Sequence, residues 1–257
     1  MASVASSSSS PTAAPARGIF TGRLGVLAAA ALFSTGGTAI KATSLAGFHV
    51  ASYRAGIAAL ALFLMLPAVR RRPSRMILGV AAAHAATMIL FVLSNKATTA
   101  ASAIFLQSTA PLYILVLSPW LLHEKIRRRD LILILVLAVG LGLFFVGVDP
   151  ASTTAPRPLF GNLLALASGV FWAFTVLGLR ALGRVGEGGG SATAAFWGNA
   201  LACLVCLPMA LPMPEIGLRD IAALTYLGVF QIALAYVFLT ASLRRVPAFE
   251  ASLLLFL

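Results

Sequence analysis

Charge is what this sequence lacks. Only 10% of its 257 residues are Asp, Glu, Lys or Arg, against 60% hydrophobic, and mean hydropathy is +0.97. A water-soluble domain carries roughly a quarter charged residues. Covering itself with so few would leave broad apolar patches facing water. That composition excludes the ordinary soluble enzyme or binding module and points to a membrane protein. Acidic residues are scarcest, 7 against 19 basic, which leaves a net charge of +12. The excess resembles a nucleic-acid signal until the basic residues are located. They sit in short loops between apolar segments, where lipid headgroups and membrane insertion account for them. No nucleic-acid partner is expected.

Cysteine is nearly absent as well. Cys203 and Cys206, in "ACLVCLP", have no second pair of ligands and read as small buried residues rather than a redox or zinc site. No Asp or Glu falls in the middle of an apolar segment. Glu124, Asp130, Asp149, Glu187, Glu215 and Asp220 lie in loops or at segment ends, and Glu250 sits near the start of the last one. Intramembrane carboxylates are the usual ion relays of coupled pumps. Their absence argues against a carboxylate-driven antiporter, although helix carbonyls could still bind an ion. The sequence has no H-E-x-x-H, no G-x-S-x-G and no paired mid-span carboxylates, so an enzyme is not expected. The run "GRVGEGGG" (183–190) lacks the strand–loop–helix context of a phosphate cradle. No cofactor and no metal are expected.

What the sequence does have is long apolar runs. After a Ser/Ala/Pro-rich stretch, 1–21, read as a disordered cytoplasmic tail, eight segments reach the roughly 20 residues that span a bilayer as a helix. They cover 22–41, 48–69, 76–95, 101–122, 130–148, 159–180, 192–211 and 220–243. A ninth, "PAFEASLLLFL" (247–257), is about half as long as a span needs to be. That suggests a fragment of a ten-helix protein, and the intact mass of the native gene product would decide it. Alternating the segments across a membrane puts 14 basic residues on one side: Arg17, Arg23, Arg70, Arg71, Arg72, Arg75, Lys125, Arg127, Arg128, Arg129, Arg180, Arg184, Arg244 and Arg245. The other side receives Lys41, Lys96, Arg157 and Arg219. Positive charge is retained in the cytoplasm. The expectation is therefore a multi-pass protein of the cell (inner) membrane with a cytoplasmic N-terminus.

An internal repeat is also visible. Residues 78–108 align without gaps on 227–257, with Leu-Gly-Val opening both and Lys96 on Arg245. Residues 22–41 fit 161–180, with Phe33 on Trp172 and Lys41 on Arg180. Units of five helices would enter the membrane in opposite orientations, an arrangement common in transporters, whose substrate sites lie near the midplane. The stretches "STGGTAIKATSLAGFHVASYRAGIAALAL" and "NKATTAASAIFLQSTAPLYILVLSPWLLHEKIRRRD" resemble the EamA-type members of the drug/metabolite transporter superfamily. The recurring features of that family are matched by Ala100 to Ile104, Pro111 and Glu124, and in the second half by "LRRVPAFEASLLLFL". The resemblance implies an all-α polytopic fold of two inverted five-helix repeats, here 22–148 and an incomplete 159–257. It also implies transport of a small metabolite by alternating access. The alternative is an inactive or truncated membrane subunit without transport of its own. Partners are then the bilayer and a small-molecule metabolite, and the oligomeric state stays open, a homo-oligomer included.

Candidate cavity residues are the polar ones stranded inside spans. Arg54, the one permanent charge there, either snorkels to the headgroups or faces a cavity and attracts an anionic substrate group. His84 either couples protons or bonds a neighbouring helix. Gln107 lies one turn before Pro111, which removes a backbone donor and kinks the helix. Ser168, Trp172 and Thr175 share one helix face. Asn199 and Gln231 are single mid-span amides suited to interhelical bonds or substrate contact.

Overall fold

Inside lipid the backbone has no water to bond, so each apolar run must satisfy its own N–H and C=O groups as helix. The computed structural model, which describes residues 16–121, 128–144, 150–184 and 189–255, is accordingly all-helical. The helices are α1 (Ala16–Ser34), α2 (Gly36–Ala42), α3 (Gly47–Met65), α4 (Arg75–Ala97), α5 (Ala100–Gln107) and α6 (Ala110–Leu121). They continue with α7 (Arg128–Phe144), α8 (Pro158–Arg184), α9 (Gly190–Cys206), α10 (Leu218–Tyr226), a π-helical segment (Leu227–Leu234), α11 (Ala235–Ser242) and α12 (Ala248–Leu254). Ends follow local chemistry. Ser74 accepts from the Ile77 N–H to start α4, and Thr99 accepts from Ser102 to start α5.

Among the described residues seven stretches are long and apolar enough to cross a membrane: Gly18–Ala42, Gly47–Met65, Arg75–Ala97, Ala100–Leu117, Pro158–Arg184, Gly190–Ala210 and Leu218–Ser242. The run expected at 130–148 corresponds to the 17-residue α7, which begins two residues earlier, and 145–149 lie outside the described residues. Helix α1 begins at Ala16, ahead of the expected start at 22, because nothing between Pro15 and Gly22 breaks it. The run 101–122 is not one helix but two, interrupted at Ser108–Thr109. Arg180, expected at the cytoplasmic end of its span, is buried inside α8 and donates to the carbonyls of Leu243 and Val246 in the turn between α11 and α12.

Helix α4 lies at the centre, packed along α8 and α9; α3 packs on α9 and on the π segment, and α1 runs along α11. Lipid tails are as apolar as leucine, so these contacts rest on close packing and interhelical hydrogen bonds rather than on escape from water. Outward-facing side chains such as Leu135, Leu204 and Trp120 are more than half exposed, as lipid contact allows.

Polar contacts collect at the two ends. At one, the Ser44 backbone and hydroxyl both donate to Asp220, Lys96 Nζ donates to Thr43 O at 2.9 Å, and the Arg157 N–H donates to Ala97 O. At the other, Arg23 pairs with Glu250 at 2.6 Å, Arg245 donates to Thr21 Oγ1, and Thr193 donates to Ala68 O.

Candidate functional site

Among the described residues three spans are interrupted within their length, and the interruptions meet. The first is the junction at Thr35 between α1 and α2. The second is the break at Ser108–Thr109 before Pro111, whose missing N–H leaves the Gln107 carbonyl without its helical donor. The third is the π segment, where the Ala235 N–H reaches the Phe230 carbonyl five residues back. In an α-helix five residues turn about 500°, so Gln231 and Tyr236 would stand about 140° apart. An i→i+5 bond stacks them instead. Both therefore line one small cavity, about 60 Å³, with Arg54, Gln107 and Trp172. A larger space of about 400 Å³ adjoins it, sharing Phe33, Phe91, Gln107 and Leu255 as walls.

Arg54 projects from α3 and is 1% exposed. It turns inward, donating from Nη2 to the Met88 carbonyl at 3.2 Å and from Nη1 to Gln231 Oε1 at 3.5 Å. Its Nε is buried with no partner. Among the described residues the one ion pair is Arg23–Glu250, at the far end of α1, so no carboxylate answers this guanidinium. A buried cation held only by neutral acceptors is costly and calls for a compensating anion or dipole. Gln231 fits beside it because Gly36 faces the amide: a Cβ there would lie 2.7 Å from Gln231 Nε2.

Gln107 donates from Nε2 to Ser168 Oγ at 2.7 Å, and Ser168 donates to the Thr87 carbonyl at 3.2 Å. Thr175 bonds Thr87 at 3.3 Å and the Phe171 carbonyl at 2.8 Å, away from the cavity. Trp172 stands edge-on to Phe33 at 6.0 Å and to Tyr236 at 6.4 Å, giving the cavity an aromatic wall. His84 and Asn199 do not line it. They are fully buried behind it, with Asn199 Nδ2 2.9 Å from His84 Nε2 and His84 Nδ1 3.0 Å from Tyr236 Oη.

Of the eight residues singled out in the sequence, Arg54, Gln107, Trp172 and Gln231 converge on the cavity, Ser168 accepts from Gln107, and His84 and Asn199 support the cavity wall through Tyr236. Thr175 serves helix packing. Tyr236, Phe33, Met88 and Phe91 were missed, since an aromatic or methionine in an apolar run carries no mark of its own. Pro111 lies in the first turn of α6. Glu124 lies outside the described residues. Cys203 and Cys206 are unpaired thiols.

A family model described as the EamA-like transporter family matches residues 20–146 and again 159–257. No curated protein matches the sequence. Six chains of solved structures are similar, among them one described as "Crystal structure of protein". It aligns with a TM-score of 0.64 at 19% identity, over 92% of this chain and 86% of its own. At that identity the likeness speaks for the fold alone.

Proposed function

Since the chain belongs to the EamA-like transporter family, and is thus a multi-pass membrane protein of a family of small-molecule transporters, we propose that it moves a small metabolite bearing an anionic group. The observation that carries this reading is Arg54: a fully buried guanidinium, unanswered by any carboxylate among the described residues, at the wall of a cavity. The substrate's negative group is the missing partner. Amides of Gln107 and Gln231 flank it, and the rings of Phe33, Phe91 and Trp172 receive the rest of the molecule.

Transport proceeds by alternating access between two five-helix halves of opposite orientation. Two observations support the repeat. The family model matches the chain twice. Phe33 and Trp172, equivalent in the repeat alignment, touch at 6.0 Å, as equivalent positions do when they flank a two-fold axis. The N-terminus is cytoplasmic, because the arginine-rich loops share its side. Carrying protons on His84 would require both ring nitrogens to donate, and Nε2 already faces the Asn199 amide donor. A facilitator or exchanger fits better than a proton-coupled pump.

The test is uptake into proteoliposomes of a panel of carboxylates and phosphate monoesters beside their uncharged amides and alcohols. Wild type is expected to move an anionic member, and Arg54→Gln to lower that uptake at least about tenfold, the worth of one hydrogen bond to a charged group. Uptake restricted to neutral or cationic compounds, or indifferent to Arg54→Gln, would overturn the reading.

A further inference from the structure

Behind the cavity, three polar side chains from three different spans form a chain of their own: His84 of α4, Asn199 of α9 and Tyr236 of α11. Its hydrogens can be assigned. Asn199 Nδ2 donates to the Ala195 carbonyl at 2.9 Å, one turn back on its own helix. Turning the amide over would set oxygen against that carbonyl, so the donor side stays where it is. The second hydrogen of Nδ2 points to His84 Nε2 at 2.9 Å, which therefore accepts. A neutral imidazole whose Nε2 accepts carries its proton on Nδ1. That proton goes to Tyr236 Oη, 3.0 Å away. The phenol is thus an acceptor toward His84, and its own hydrogen is left over. Among the described residues the hydroxyl has no other hydrogen-bond partner, and Tyr236 lines the cavity that holds Arg54. Gly198 makes the arrangement possible: a Cβ there would come within 2.3 Å of the His84 ring.

We propose that Tyr236 is a substrate-binding donor, its O–H presented beside Arg54 to the substrate's anionic group, and that His84 and Asn199 are positioning residues that set the direction of that bond. This rests on the reading of the cavity as an anion site. It adds a specificity rule. Between the Arg54 guanidinium and the Tyr236 O–H, both donors lining the cavity, the ligand group must accept from each, which carboxylates and phosphates do and protonated amines do not.

Two measurements on the full chain in mild detergent test the proposal. In a His49→Gln, His123→Gln background His84 is the single imidazole, and its ring nitrogens can be read by 15N NMR. The expected spectrum is one neutral tautomer with the proton on Nδ1. Asn199→Leu, which removes the donor to Nε2, is expected to lose that single tautomer. Titration calorimetry with benzoate, a ring with a carboxylate, supplies the second arm. Tyr236→Phe, which keeps the ring, is expected to weaken binding about tenfold, and Asn199→Leu several-fold. A proton on Nε2, or on both nitrogens, in the wild-type spectrum overturns the proposal. Wild-type protein that ignores benzoate overturns the anion site itself, and the role of Tyr236 with it. Benzoate binding that needs Arg54 yet tolerates Tyr236→Phe overturns the role of Tyr236 alone.

Discussion

Arg54 is an expense to the fold. Its guanidinium lies in the interior with three neutral acceptors, Gln231 Oε1 and the carbonyl and sulfur of Met88, and an unpartnered Nε. Replacing a buried charge by an apolar side chain of similar volume is often stabilising, by about 1–4 kcal/mol for buried ion pairs. Arg54→Met is therefore expected to raise the melting temperature in detergent while abolishing anion transport, the opposing pair of effects that marks a functional rather than a structural residue. A melting temperature that falls would instead make Arg54 a strut of the fold. Arg54, Gln107 and Gln231 could be found in the sequence because a polar residue inside an apolar run needs a reason. Tyr236 could not, since its partner His84 stands 152 residues away and His84's own partner Asn199 a further 115 from it, and nothing local links them. His84 and Asn199 were legible as polar residues but not as one network, for the same cause.

The spans were legible because length and apolarity are enough to specify a helix in lipid. Their irregularities were less so. Pro111 signalled a disturbance, and the break lies at Ser108–Thr109, ahead of it on the side of the carbonyl it cannot serve. The π segment had no signal, because a single extra residue in a turn is chosen by the fit of Gln231 beside Arg54 and Gly36 rather than by local preference. It makes a sharp expectation. Deleting Phe230 should restore α-helical spacing and leave Gln231 and Tyr236 five residues apart, on different faces, with transport lost. Deleting Leu234 also restores the spacing but leaves them four apart, on one face, and should spare more transport. Uptake by the two deletion variants, with far-UV circular dichroism confirming equal helix content, checks this. Equal loss in both would mean that the π turn has no role in aligning the pair.

Across the whole molecule, basic residues segregate. The Arg70–Arg75 loop, Arg23 and Arg245 stand at one end, and Lys41, Lys96 and Arg157 at the other. Arg180 keeps to the side of Arg244 and Arg245 but is buried, because its alkyl stem and the carbonyls at Leu243 and Val246 give it a site within the helix bundle. With Cys203 and Cys206 replaced by alanine, a cysteine at Ser152 is expected to react with a membrane-impermeant maleimide on intact cells, and one at Ser74 only after permeabilisation. The reverse pattern would invert the topology.

The unanswered guanidinium has an electrical consequence. An empty site carries one positive charge, and a site holding a monoanion carries none. Membrane voltage does about 2.3 kcal/mol of work on each unit charge per 100 mV traversed. Under the proposed anion exchange, that work falls on the reorientation of the empty carrier and spares the loaded one, so exchange of one anion for another is expected to run independently of voltage while net movement in one direction feels it.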